Sequence, residues 1–263
     1  LPGPDELSAD LDLLVSAALE AGAIALRYFK RDPQTWEKGD GAGPVTEADL
    51  AVNTMLAQRL RAARPGYGWL SEETPDNTAR LATRRVFIID PIDGTRAFID
   101  GQDSFAHSLA IVEDGKVIAA AVYLPAKNRM YSAHAASDAL LNGQKVQNSA
   151  QAGVEGATVL TSKPNMQPNH WPGGVPGLHC AFRPSLAYRI CLVAQGRFDG
   201  MLAFRPTWEW DIAAGALIAA RAGAVASDGS GAALRFNAPD PRADGVIVAA
   251  PALHSALMAQ RRA

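Results

Sequence analysis

Two aspartates three residues apart, Asp90 and Asp93, frame the segment Asp90-Pro91-Ile92-Asp93-Gly94-Thr95. Pro91 biases Asp90 toward extended backbone and directs the turn that follows. Gly94 admits close approach of a ligand to the main chain, and the N–H groups of Gly94 and Thr95 open the next segment, where they can receive a phosphate. Both carboxylates then face one place. At ~4 Å and an effective dielectric of about 20, two like charges repel by roughly 4 kcal/mol, so ionised acids held together require a cation. Oxygen ligands without His or Cys select Mg²⁺ or Ca²⁺ over zinc. Taken alone, the same hexapeptide also reads as an acidic turn with aspartates at cap positions.

Three further segments carry acids in suggestive settings. Leu70-Ser71-Glu72-Glu73 places paired acids after an apolar residue. Thr46-Glu47-Ala48-Asp49 opens a helix whose apolar stripe, Val45, Val52, Met55, Leu56 and Leu60, also contains Asp49, so this carboxylate points inward and needs a partner or a site. Trp208-Glu209-Trp210-Asp211 precedes an alanine-rich helix, where Asp211 reads equally well as its N-cap. Spacing does not by itself bring these four segments together.

The positioning elements follow from periodicity and turn chemistry. A first helix runs from a Ser8 cap to about Lys30, with Leu11, Leu14, Val15, Ala18, Ala25 and Phe29 at helical spacing, and a second spans about Thr46 to Ala63. Val86 to Asp90 reads as a buried strand ending in the acidic turn. Phe105–Val112 and Val117–Leu124 flank Asp114-Gly115, and Leu141 and Val146 flank Asn142-Gly143, both hairpin signals. After about Ala150 strands and helices alternate: Thr158–Thr161, a helix over Ser185–Gln195, Gly200–Phe204, a helix over Asp211–Ala222, Val246–Ala249 and a last helix to Arg262. Lys163 to Gly177, rich in Pro, Gly and Asn, is a long loop. The expected division is an α+β part over 1–150 carrying most of the acids and an α/β part over 151–263 contributing Asp211.

Composition excludes several classes. With 263 residues, 48% of them hydrophobic, the chain can bury a full core without staples. The 25 basic and 27 acidic side chains give a net charge of -2, which leaves no field to gather nucleic acid or an anionic membrane. Residues 1–10 lack the features of a secretory signal, and no apolar run reaches the ~20 residues that cross a bilayer. Cys180 and Cys191 have no zinc-type spacing and sit among apolar neighbours, reading as core thiols of a reducing, cytoplasmic compartment. His107, His134, His170, His179 and His254 form no triad pattern, and neither GxGxxG nor a Walker loop occurs.

Together the motifs Val45-Thr46-Glu47-Ala48-Asp49, Leu70-Ser71-Glu72-Glu73, Ile89-Asp90-Pro91-Ile92-Asp93-Gly94-Thr95 and Trp210-Asp211-Ile212-Ala213-Ala214-Gly215 resemble the lithium-sensitive, Mg²⁺-dependent phosphatases of the inositol monophosphatase superfamily, which includes the 3'(2'),5'-bisphosphate nucleotidases. The resemblance implies a mixed α and β fold, an alternating α-β-α-β-α layered sandwich, assembled as a homodimer. It implies that Glu72, Asp90 and the Ile92 carbonyl hold one Mg²⁺, that Asp90, Asp93 and Asp211 hold a second, and that Glu72 also serves a third, weaker ion. It further implies that Thr95, backed by Asp49, orients or deprotonates the attacking water, with Glu72 assisting. Asp93, Gly94, Thr95, Ser185, Arg189 and Asp211 would contact the substrate, a small phosphorylated molecule.

Departures from the family pattern bear on that substrate. Inositol-hydrolysing relatives place a glutamate seven residues before the aspartate of the Trp-Asp pair, where this chain has Phe204, and a phenyl ring cannot accept hydroxyl hydrogen bonds. Phe204-Arg205-Pro206-Thr207, the Leu70–Glu73 motif and Arg96 resemble bacterial bisphosphate nucleotidases, whereas Ala97 departs from both groups. Arg189 is positioned either to meet a second phosphate or to lie on the surface, and Lys38 adds positive charge before the first motif. Trp208 and Trp210 can stack a base, although packing is the simpler role for Trp210. A non-enzymatic binding protein is the competing class; the complete set of acids and the lack of a basic run argue against it.

Overall fold

In the computed structural model, residues 3–39 and 43–262 are described; Leu1 and Pro2 of the N-terminal stretch, and Ala263, lie outside them. Helix α1 (Pro4–Tyr28) starts ahead of Ser8: Pro4 at the first turn needs no N–H partner, and Asp5 and Glu6 suit the positive helix end, so Ser8 lies within the helix rather than capping it. An antiparallel pair absent from the sequence expectation follows, β1 (Thr35–Glu37) and β2 (Pro44–Thr46). It leads into α2 (Glu47–Ala63), which is capped by Thr46.

Strand β3 (Gly68–Ser71) runs parallel to β4 (Arg85–Asp93). The expected stop of β4 at Asp90 is not observed. The strand continues through a bulge in which Asp90 pairs with Ser108 and Asp93 with Ala106, so Pro91 and Ile92 together oppose His107. Proline is tolerated there because a bulge needs no ladder N–H. After the short α3 (Thr95–Ile99), β5 (Ala106–Glu113) and β6 (Lys116–Leu124) form the expected hairpin. Asp114 and Gly115 take the positive φ values, 50° and 79°, of a type I′ turn. Strands β7 (Arg129–His134), β8 (Leu140–Leu141) and β9 (Gln144–Lys145) complete a seven-stranded sheet, with Asn142-Gly143 as the last turn.

The second half supplies β10 (Thr158–Leu160), β11 (His179–Ala181), α4 (Leu186–Ala194), β12 (Gly200–Ala203), β13 (Thr207–Trp208), α5 (Glu209–Arg221), β14 (Val225–Ser227), β15 (Arg242–Ala243), β16 (Val246–Ala249) and α6 (Pro251–Arg262). Five of these strands form a mixed sheet in the order β11-β10-β12-β16-β14. The Lys163–Gly177 loop contains two 3-10 turns.

Alternating strand residues bury both faces of each sheet and fix the layers. Phe87, Ile89, Leu109, Ile111 and Ala121 pack beneath α1 and α2. Their neighbours Val86, Ile88, Ala110, Val112 and Val122 face α4 and α5, which also cover Met201, Ala203, Val246 and Val248 of the smaller sheet. That sheet's far face, Val159, Leu202, Ile247 and Ala249, rests on Leu253 and Leu257 of α6. The expected α-β-α-β-α sandwich is the observed one. Helices α4 and α5 approach closely because Gly215 faces Ile190, where an added Cβ would lie 2.9 Å from the isoleucine Cβ. One cysteine reading is corrected: Cys191 is buried, but Cys180 is exposed, since β11 is an edge strand with a neighbour on one side only. Among the described residues no helix is long and apolar enough to cross a membrane.

Candidate active site

The bulge in β4 brings Asp90 and Asp93 to the same side, and the first turn of α5 delivers Asp211 beside them. Carboxylate oxygens of these three residues lie within 4.8 Å of one another, with Asp90 and Asp93 buried and Asp211 half-buried. Asp211 stands in the helix's first turn rather than at its N-cap, which is Trp208, so its carboxylate is available to the cluster. Ser108, the ladder partner of Asp90, donates from Oγ to the Trp210 carbonyl at 2.8 Å and thereby ties α5 to the bulge. Glu72 follows β3 directly, its N–H donating to the Ile89 carbonyl at 3.2 Å.

Charge is concentrated there. Burial pushes the Asp90 carboxyl well above the usual range, and the charges of Glu72, Asp93 and Asp211 push it further. Asp211 is raised by burial and by Asp93 and Glu72, with Arg205 and Lys38 opposing. Asp93 is raised by burial but moderated by partners: its Oδ2 accepts from Ser185 Oγ and from the Ala187 N–H, both at 2.6 Å. Asp93 therefore sits on the positive end of α4. Asp90 Oδ1 is buried without a hydrogen-bond partner.

Asp49 is fully buried at the start of α2 and serves two structures. Its Oδ2 accepts from the Thr46 N–H at 2.9 Å and the Thr46 hydroxyl at 2.6 Å, closing a capping box. Its Oδ1 accepts from Thr95 Oγ1 at 3.2 Å. Burial raises its pKa to about 6, against the lowering bonds from Thr46 and Thr95. Thr95 Oγ1 also lies 3.1 Å from the Ile92 carbonyl, so a single hydroxyl proton has two acceptors. Gly94 has φ +97°, a conformation that L side chains rarely adopt, and it lets α3 start immediately after Asp93.

Several residues play parts that sequence reasoning assigned differently or not at all. Lys38, expected only as added charge, bonds Glu72 at 2.7 Å and Glu73 at 2.5 Å; burial works against its charge, but the Glu72 and Glu73 carboxylates hold the ammonium protonated. Ser185, expected against substrate, spends its proton on Asp93 and caps α4 by accepting from the Tyr188 N–H at 3.0 Å. Arg189 is half-buried rather than a solvated surface residue, and its guanidinium bonds the Arg183 and Pro184 carbonyls. Burial lowers its pKa to about 10, with Asp93 and Asp211 supporting its charge and Arg205 repelling it. His107, which shows no triad pattern in the sequence, hydrogen-bonds the Pro91 carbonyl through Nδ1 at the centre of the bulge. Only the strand register, invisible in sequence, sets His107 opposite Pro91.

An all-oxygen donor set, three mutually repelling carboxyls and an orphaned buried carboxylate oxygen suit a hard divalent cation. Comparison with known proteins agrees. Residues 6–263 match the model of the inositol monophosphatase family. The chain is 32% identical over 241 residues to an inositol-1-monophosphatase of Rhizobium meliloti (strain 1021), covering 85% of this chain and 87% of that one. It is likewise 32% identical over 231 residues to the 3'(2'),5'-bisphosphate nucleotidase CysQ of Escherichia coli (strain K12), covering 86% and 93%. Among solved structures, the extragenic suppressor protein suhB of Bartonella henselae superposes with a TM-score of 0.83 at 26% identity, over 97% of this chain and 98% of that one. With the acidic cluster in place and the match spanning nearly its whole length, the chain belongs to the inositol monophosphatase family and is a metal-dependent phosphoric monoester hydrolase.

Proposed function

We propose that the protein is an Mg²⁺-dependent, lithium-sensitive phosphatase that removes the 3'-phosphate from a 3'(2'),5'-bisphosphate nucleotide. Glu72, Asp90 and the Ile92 carbonyl would hold one ion, Asp90, Asp93 and Asp211 a second, and Glu72 a third, weaker one, within an expected homodimer of a cytoplasmic enzyme. Bound there, Mg²⁺ supplies Lewis-acid charge that acidifies an attacking water and neutralises phosphate oxygens.

The chain's own groups do the rest. Thr95 orients the water through its hydroxyl and passes a proton toward Asp49, the buried acceptor 3.2 Å away. The N–H groups of Gly94 and Thr95 receive phosphate oxygens, and no side chain forms a phosphoenzyme. Asp93 stays in place because Ser185 and the Ala187 N–H hold one of its oxygens.

The observation that carries the substrate is a pair of cations whose charges couple to the acids: Asp93 and Asp211 support the charge on Arg189, and Arg205 opposes the rise of the Asp211 carboxyl. Beyond the phosphate that the metal ions would meet, a second phosphate would find counter-charge at these guanidiniums. Two further features support a nucleotide. Phe204 packs against Trp171 and His170 with the Arg261 guanidinium over its ring, so no hydroxyl acceptor stands at that position. A cleft of about 350 Å³ beside Glu72 is walled by Trp208 and Trp210, which stack at 4.6 Å, and by Pro239 and Pro241, giving a flat apolar group a place to lie.

Phosphate release from 3'-phosphoadenosine 5'-phosphate and from inositol 1-phosphate, each with Mg²⁺ and with or without Li⁺, tests this reading. A higher kcat/KM for the nucleotide, suppressed by Li⁺, is expected. Preference for inositol 1-phosphate would overturn the substrate while leaving the chemistry standing.

A further inference from the structure

Lys127, Arg129, Arg183 and Arg197 line one concave cavity of about 190 Å³, together with Tyr188 and Phe198, and none of these residues belongs to the acidic cluster. Lys127 is neutralised by Asp103 at 2.6 Å. Among the described residues Arg129, Arg183 and Arg197 form no ion pair, although acids outnumber bases in the chain as a whole. Arg183 donates to the Phe182 carbonyl at 2.6 Å and lies over the Phe198 ring at 5.8 Å. Arg129 Nη1 is buried without a hydrogen-bond partner.

This arrangement is costly unless something completes it. Three like charges share one cavity, and a buried guanidinium N–H lacks its acceptor. Guanidinium forks are shaped for paired oxygens and accept nothing themselves, so the missing group is an acceptor-rich anion. The volume exceeds that of several waters at ~30 Å³ each, which admits a tetrahedral oxyanion or a diphosphate. Tyr188 and Leu192, four residues apart, present one face of α4 to the cavity, while the N-terminus of the same helix holds Asp93.

We propose that this cavity is a binding site for a phosphate-class dianion, separate from the metal-binding acids and independent of which ester the enzyme cleaves. The probe is inorganic phosphate, with diphosphate as a second arm, titrated calorimetrically at pH 8 into the full chain stripped of metal on a chelating resin and free of soluble chelator, where the bare acidic cluster repels anions. Saturable 1:1 binding is expected, weakened at least tenfold in Arg129→Gln and in Arg197→Gln, unchanged in Asp90→Asn and reduced by added salt. Absence of binding, or equal affinity in wild type and both arginine variants, would overturn the site. So would arginine variants that shift the sedimentation mass while wild type binds no phosphate, since the cavity would then be a contact between copies. A second measurement needs no variant: phenylglyoxal modification of wild type, read by peptide mass spectrometry, should slow at Arg129, Arg183 and Arg197 when phosphate is present. Unchanged rates at all three count against the proposal.

Discussion

The imidazole of His107 bonds the carbonyl of Pro91, a backbone acceptor inside the bulge that Asp90 and Asp93 flank. A carbonyl can only accept, so Nδ1 carries the proton, and Nε2 is left buried without a partner. Pro91 faces His107 while the next carbonyl, that of Ile92, meets Thr95. The two acceptors of the bulge are thus served by different groups, and Asp90 and Asp93 are set by both.

Burial lowers the His107 pKa to about 4, with the Pro91 bond opposing. An unfolded histidine titrates near 6.5, so between those values the unfolded chain binds a proton that the native state refuses. The contribution is fully present above pH 6.5 and is lost as pH falls toward 4, by up to about 3 kcal/mol. Urea unfolding of wild type and His107→Val from pH 7 to 4 should show the steeper loss in wild type. Parallel curves would remove His107 from the acid sensitivity.

Asp90→Asn keeps the side-chain volume and deletes the charge at the centre of the cluster. Turnover with Mg²⁺ should fall by more than about 100-fold, beyond what partners of metal ligands cost. In EDTA the same variant should melt at a higher temperature, because repulsion from Glu72, Asp93 and Asp211 is relieved. Full activity would sink the metal assignment, and a lower melting temperature in EDTA would contradict the repulsion argument.

Thr95→Ala should reduce kcat by roughly 10²-fold or more with little change in Mg²⁺ dependence, as measured by titrating Mg²⁺ against initial rate. Thr95→Ser, which keeps the hydroxyl, should recover most of the loss. An unaltered kcat in Thr95→Ala would exclude the hydroxyl from the reaction.

Gly215→Val places side-chain atoms where Ile190 already stands. Overpacking of this kind costs about 1–3 kcal/mol, visible as a lower urea midpoint. Because α4 holds Asp93 and α5 carries Asp211, Mg²⁺ affinity should weaken as well; a stability loss with unchanged affinity would show that the two helices move as one.

Arg205→Gln should raise KM for 3'-phosphoadenosine 5'-phosphate roughly tenfold and leave that for inositol 1-phosphate unchanged. Equal effects on both would return Arg205 to a general electrostatic role at Asp211.

Much of the layered architecture is written in local chemistry. The turns at Asp114-Gly115 and Asn142-Gly143 are legible because positive φ restricts the residue types, and Val246–Ala249 because a short apolar run in an α/β setting has one reading. The bulge is not legible: a proline after Asp90 suggests a strand's end, and only the pairing of Asp93 with Ala106 shows that the strand resumes. The hairpin carrying Lys38 is likewise obscured, since its strands are three residues long and every residue of β1 is exposed, with no buried alternation to mark it. Asp49 was recognisable as inward-facing from its stripe, yet its bond to Thr95, 46 positions away, depends on tertiary packing. The convergence of Glu72, Asp90, Asp93 and Asp211 has no signature in spacing and was visible only through resemblance to a family.

The capping box at α2 constrains how this chain can change over time. One carboxylate begins the helix through Thr46 and braces the hydroxyl of Thr95, so drift at Asp49 strikes the helix start and that hydroxyl in a single step. Loss of Thr95 leaves the box closed. If the proposed role of Thr95 holds, its loss is one route by which a lineage gives up catalysis and keeps its shape, and an intact Asp49 in such a descendant would record the helix it starts rather than a reaction it still performs.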